Sequence, residues 1–218
     1  MDLLIFDLDG TLVDSKQDLA NAVNAARARL GLAPIDDKLI ATYVGDGAPT
    51  LIRRAMPAGT SEEELARTLE FFLHYYGEHK LDCTRAYPGV PEALARLSRA
   101  GVRLAVLTNK PVRISRAILE GLGLDHYFAR IYGGNSFEQK KPHPMGVETL
   151  LVELGAMRER AMIVGDSAID VRTARNAGVR VCGVTYGFQP ETLAAETPDL
   201  LVDSLNQLAD IVLGAPEK

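Results

Sequence analysis

The 218-residue chain has no tryptophan, only 2 cysteines and only 4 histidines. Cys83 and Cys182 lie far apart and form no C-x-x-C pair, so they read as two reduced thiols in structural roles, not a disulfide framework or thiolate metal site. His74, His79 and His126 show no ligand spacing, and His143, lodged between two prolines, reads as structural. No apolar run approaches the ~20 residues that a membrane-spanning helix needs. The first residues carry an acid at position 2 and run into a strand, unlike a signal peptide, so a cytoplasmic protein without membrane contact is expected. Positive charge is scarce too: the net charge is −5 and the Lys and Arg residues are scattered, which leaves no electrostatic footprint for nucleic acid. There is no internal repeat or low-complexity stretch.

What is present is ordinary in bulk. With 47% hydrophobic and 24% charged residues the chain can bury a sizeable core, and its length suits one generous domain or a domain with a smaller insert. Residues 3–6 form a continuous apolar run, as expected of a strand covered on both faces. Helical spacing follows over 15–30, with Ser15 and Asp18 as a start signal, then over 38–43, from 48 to about 57, and over 62–78 behind a Ser61–Glu64 capping box. From residue 88 the character changes. Strands are expected at 102–107, 128–132, 161–164, 180–184 and 199–203, alternating with helices at 91–100, 111–122, 144–154, 167–177 and 204–213. This β-α alternation predicts an α/β fold with a doubly wound, Rossmann-like parallel sheet. Residues 1–14 and 84–218 are assigned to that core, and 15–83 to a helical insertion after the first strand.

Each well-formed strand of the core ends in polar residues: Asp7 and Asp9, then Thr108-Asn109-Lys110, then Gly165-Asp166-Ser167 with Asp170 one turn on. The loop before helix 144–154 carries Lys140-Lys141. In a parallel sheet these ends share one edge, where open α/β sheets bind ligands. Four carboxylates against Lys141 repel one another unless a cation compensates them. An all-oxygen set suits a hard ion, so a Mg²⁺ site of Asp7, Asp9 and Asp166 is expected, with Asp170 orienting Lys141 or the metal's waters. Carboxylate, hydroxyl, lysine and Mg²⁺ on one rim are the parts for phosphoryl transfer, with an aspartate as nucleophile and the second acid moving the proton.

The stretches Phe6-Asp7-Leu8-Asp9-Gly10-Thr11, Leu107-Thr108-Asn109-Lys110-Pro111, Lys140-Lys141-Pro142 and Val164-Gly165-Asp166-Ser167 resemble the four ordered motifs of the haloacid dehalogenase-like phosphatases. The resemblance covers nearly the whole chain. It implies Asp7 as nucleophile, Asp9 as general acid/base and Thr108-Asn109 with Lys141 as the phosphate-binding set. It also implies Mg²⁺ held by Asp7, the Asp9 backbone carbonyl and Asp166, and reads the insert as the family's α-helical cap. Tyr43-Val44-Gly45-Asp46-Gly47-Ala48, Tyr87-Pro88-Gly89-Val90 and Val184-Thr185-Tyr186-Gly187-Phe188 resemble members acting on 2-phosphoglycolate, and the resemblance implies that substrate. Asn135, Met145-Gly146 and Ile169 depart from that group's usual residues without removing a catalytic part. Pyrophosphatases and sugar- or nucleotide-phosphate phosphatases share much of the pattern.

In the insert, the Gly45-Asp46-Gly47 loop is the candidate for close approach to substrate, because glycine lets backbone amides come near. Arg54 is the candidate for a second anion, and the aromatic stripe of helix 62–78 reads as the insert's own core. The expected partner is a small phosphorylated metabolite, the expected assembly a monomer or homodimer. A phospho-accepting signalling receiver, the rival of another class, needs its acceptor on a later strand and has no helical insert.

Overall fold

A computed structural model of the chain describes residues 1–214. Strand β1 (Leu3–Phe6) is completely buried and pairs in parallel with β4 (Arg103–Leu107) on one side and β6 (Ala161–Gly165) on the other. Ile5 thus stands opposite both Ala105 and Ile163. Strands β5 (Arg130–Tyr132), β7 (Arg180–Val184) and β8 (Leu200–Val202) extend the sheet to six parallel strands in the order β5-β4-β1-β6-β7-β8.

The apolar run of β1 follows from this position. Leu4 and Phe6 enter one apolar cluster, with Leu94 and Leu97 of α5 (Val90–Arg99), Ile118 of α6 (Val112–Gly121) and Leu205 and Leu208 of the last helix (Leu205–Leu213). Leu3 and Ile5 enter the other, with Val147 and Leu150 of α7 (Met145–Glu153) and Val171 and Ala174 of α8 (Ala168–Ala177). Successive strand residues point to opposite faces, so a strand sandwiched between two helix layers has no polar alternation to show. The chain runs from β1 to one neighbour and later returns to the other, which makes the end of β1 the switch point of the sheet.

The insert contains α1 (Lys16–Arg29), α2 (Asp37–Tyr43), α3 (Ala48–Ala55) and α4 (Glu62–His79). Two short strands absent from the sequence reading, β2 (Val13–Asp14) and β3 (Arg85–Ala86), pair antiparallel where the chain leaves the sheet and returns. Two residues apiece are too few for a period to register. The helix-start signals are partly diverted. Ser61 Oγ accepts from the Glu64 amide at 3.2 Å, one half of the expected box. Ser15 makes no cap; its hydroxyl donates to Asp9 at 2.5 Å. Asp18 accepts instead from the Cys83 and Thr84 amides and the Thr84 hydroxyl, tying the first turn of α1 to the returning chain. Among the described residues no helix is long and apolar enough to cross a membrane.

Candidate active site

Asp7 directly continues β1, and its amide still bonds the Val164 carbonyl at 2.9 Å. Beyond it the chain turns at Gly10, whose φ of 80° suits glycine. A Cβ at Gly10 would stand 2.2 Å from Asp166 Oδ2, so the turn's second requirement is room for the acid arriving at the end of β6. Thr108 follows β4, and Lys141 reaches in from the loop before α7. Asp7, Thr108, Asn109, Lys141, Asp166 and Asp170 are all buried, and parallel pairing brings them to one rim.

Lys141 Nζ lies 2.7 Å from Asp170 Oδ1 and 3.0 Å from Asp7 Oδ1. Asp170 also accepts from the Ser167 amide and hydroxyl, a capping box that starts α8 and aims the acid at the lysine. Burial lowers the proton affinity of Lys141, but Asp170 and Asp7 outweigh it and hold the ammonium above its ordinary range. Burial pushes the Asp7 carboxyl up to about 6, with Lys141 pulling back and Asp170 pushing further. Asp166 is pushed up to about 8 by burial, then by Asp170 and Asp7, although the Phe188 amide donates to its Oδ2 at 2.6 Å.

One carboxylate oxygen from each of Asp7, Asp166 and Asp170 lies within 4.8 Å of the others. Asp7 Oδ1 is buried and, despite the nearby ammonium, accepts no hydrogen bond. An orphaned oxygen, an all-oxygen donor set and carboxylates driven toward protonation by mutual burial fit a hard divalent cation such as Mg²⁺. The Asp9 side chain is not in that cluster; it is engaged elsewhere.

Lys110 Nζ donates to Asp9 Oδ1 and Oδ2 at 2.8 and 2.9 Å and to the Tyr76 hydroxyl at 2.7 Å. Burial lowers its proton affinity, but Asp9 and Tyr76 more than restore it, so Lys110 stays an ammonium. Lys110 thus adds a second buried lysine to the one, Lys141, expected to face the four carboxylates. Its signal was available, since Lys110 closes the polar strand end that begins at Thr108. Tyr76 had no such signal: a tyrosine on the buried stripe of α4 has the same spacing whether it faces core or cleft. It stacks on Phe72 at 5.7 Å between centroids, as a core residue does, and also lines the cleft with Phe72 and Leu73.

The cleft has a volume of about 50 Å³ and lies between the strand ends and the helical block. Gly45, Gly47 and Ala48 line it, together with Thr108 and Asn109. Asn109 Nδ2 donates to the Gly45 and Lys141 carbonyls at 2.9 and 3.0 Å, while its Oδ1 is buried without a partner. Asp46 and Arg54 do not line the cleft. They pair with each other at 2.7 Å, and Arg54 also donates to the Tyr43 carbonyl, which stiffens the glycine loop from outside.

The family model described as haloacid dehalogenase-like hydrolase matches residues 4–184. The chain belongs to that family. Among hydrolases of the family, a phosphoglycolate phosphatase of Haemophilus influenzae is 39% identical over 218 residues, covering 96% of this chain and 97% of the relative. One from Vibrio vulnificus is 40% identical over 220 residues, covering 97% and 96%. A crystal structure of a predicted phosphoglycolate phosphatase from Haemophilus somnus superposes with a TM-score of 0.92 at 36% identity, covering 99% of this chain and 98% of the other. The likeness spans nearly the whole of both chains, and this hydrolase is a phosphatase.

Proposed function

We propose that this phosphatase hydrolyses 2-phosphoglycolate to glycolate and phosphate through a phosphoaspartate on Asp7. The observation that carries the reading is the buried Asp7 carboxylate at the switch point of the sheet, with Lys141 Nζ 3.0 Å from its Oδ1 and Asp166 and Asp170 beside it. The substrate follows the relatives' printed activity.

In this reading Asp7 attacks phosphorus, the bond from phosphorus to the glycolate oxygen breaks, and Asp9 gives the leaving alkoxide its proton. Asp9 then takes a proton from water as the water attacks the phosphoaspartate, the bond from Asp7 oxygen to phosphorus breaks, and phosphate and the free carboxylate result. Thr108, Asn109 and Lys141 hold the phosphoryl oxygens, and Lys110 with Ser15 keeps Asp9 aimed. Asp7, Asp166 and the Asp9 backbone carbonyl would hold Mg²⁺, with Asp170 setting Lys141; when bound, the ion offsets charge on the transferring group. The helical block acts as a cap whose Gly45–Gly47 loop and apolar lining keep bulk water from the phosphoaspartate and limit leaving-group size.

The test is phosphate release from 2-phosphoglycolate, pyrophosphate, nucleotides and sugar phosphates with and without Mg²⁺, for the wild type and Asp7→Asn. The reading expects 2-phosphoglycolate to be preferred, chelation to stop turnover and Asp7→Asn to abolish it. Turnover retained in Asp7→Asn overturns the mechanism, and a better substrate in the panel overturns the assignment of substrate.

A further inference from the structure

The loop after β7 takes no part in the chemistry above, yet it touches both halves of the cleft. Gly187 passes so close to Asp166 that a Cβ there would lie 2.1 Å from the Cβ of the acid. The next two amides point at the same carboxylate: Phe188 N donates to Asp166 Oδ2 at 2.6 Å, and Gln189 N approaches it at 3.4 Å. The Gln189 side chain then leaves the core. Its Nε2 is shared among the carbonyls of Val44, Thr42 and Ala41 at 2.7, 3.2 and 3.3 Å.

Those carbonyls close α2 and open the glycine loop, and the last carbonyls of a helix have no partner inside it. Two further contacts hold the same loop: Asn109 Nδ2 on the Gly45 carbonyl at 2.9 Å and Lys140 Nζ on the Asp46 carbonyl at 2.5 Å. Neither of these comes from the segment that fixes Asp166. Gln189 alone among the three has its backbone on an acid of the metal-binding cluster and its side chain on the helical block.

We propose that Gln189 is a positioning residue linking the placement of Asp166 to the seating of the 44–47 loop over the cleft, so that cation binding and closure of the helical block favour each other. The inference rests on the Mg²⁺-dependent phosphatase reading. Ordering Asp166 orders the amides of Phe188 and Gln189 that bond it, and these set where the Gln189 side chain reaches. Such coupling is reciprocal: a loop that is better seated when Asp166 is ordered also raises affinity at Asp166.

The experiment is hydrogen exchange on the full chain with and without Mg²⁺, in the absence of substrate, for wild type, Gln189→Ala and Gln189→Glu. Kinetics toward 2-phosphoglycolate and melting temperatures accompany it. In the wild type, Mg²⁺ is expected to slow exchange both at 165–170 and at 41–48. In Gln189→Ala the slowing at 165–170 persists, while that at 41–48 falls by about two- to tenfold, the worth of one hydrogen bond. KM rises by a similar factor and kcat changes by less than about twofold, because the reacting groups are untouched. Gln189→Glu keeps the shape but turns an acceptor toward carbonyls, so it moves the same quantities further in the same direction.

Equal Mg²⁺ protection of 41–48 in wild type and Gln189→Ala overturns the proposal, as does an unchanged KM in both folded variants. A Mg²⁺ response at 165–170 with none at 41–48 in the wild type sinks the coupling and leaves the phosphatase reading intact. No Mg²⁺ response anywhere, with no phosphate release, sinks both.

Discussion

Replacing Asp18 with alanine should destabilise the protein without touching the reacting groups. Asp18 is 1% exposed and accepts from the Cys83 amide at 2.9 and 3.1 Å, the Thr84 amide at 2.8 Å and the Thr84 hydroxyl at 2.7 Å. Alanine leaves two backbone donors without an acceptor; the Thr84 hydroxyl can rotate, but the amides cannot. Each orphaned donor costs about 1–3 kcal/mol, and removal of a buried charge returns part of this, for a net loss of roughly 2–4 kcal/mol. For a chain of this length about 2–4 °C accompanies each kcal/mol, so the melting temperature should fall by roughly 4–16 °C. Asp18→Asn keeps one oxygen and should lose about half as much. Urea and thermal unfolding read both numbers. A loss below about 1 kcal/mol for Asp18→Ala would show that water replaces the carboxylate at this junction, and the reasoning from buried donors would fail.

Lys110→Met removes the cation from a pair whose side chains are 5% and 10% exposed; it should cost about 3–5 kcal/mol in stability and lower kcat at least tenfold, read by unfolding and steady-state kinetics. Gly187→Ala should weaken Mg²⁺ binding by tenfold or more, because its Cβ would sit 2.1 Å from that of Asp166; isothermal calorimetry with unchanged affinity would refute it. In the cation-free protein Asp166 carries a pKa raised to about 8, so a proton must leave when the ion binds; Mg²⁺ affinity should fall as pH is lowered below 8, with proton release visible in buffers of different ionisation enthalpy. The same raised value makes the protonated acid favour the folded state. Its contribution is complete below the ordinary value of 3.8, declines as pH rises toward about 8 and is then gone, so Asp166→Asn should gain on chelated wild type across that window in melting experiments.

The candidate rim was legible in the sequence because most of its polar residues sit just beyond an apolar strand. Asp7 after Leu3–Phe6, Thr108 after Arg103–Leu107 and Asp166 after the buried run of β6 needed only the rule that parallel strands end together. Helix positions in the insert were legible from apolar spacing, as Leu19, Ala22, Val23 and Ala26 on α1 illustrate. The start signals misled in one respect. Ser15 and Asp18 have the residue types of a helix start, yet Ser15 is drawn back to Asp9 at the end of the first strand, and Asp18 to Thr84, 66 residues on.

Local sequence therefore specified the main helices and strands, their β-α alternation and the identity of the acids at the sheet's edge, because periodicity and strand-end chemistry act over a few residues. It did not specify the partners that join core to helical block. Lys110 meets Tyr76 across 34 positions, Asp18 meets Thr84 across 66 and Gln189 meets Val44 across 145. Each of those contacts depends on how whole helices pack on the sheet, and packing is set by shape and by the need to satisfy every buried polar group at once. The same packing moves the Asp9 carboxylate out of the acidic cluster and onto Lys110, and turns a cleft-facing tyrosine out of what spacing alone shows as one apolar stripe.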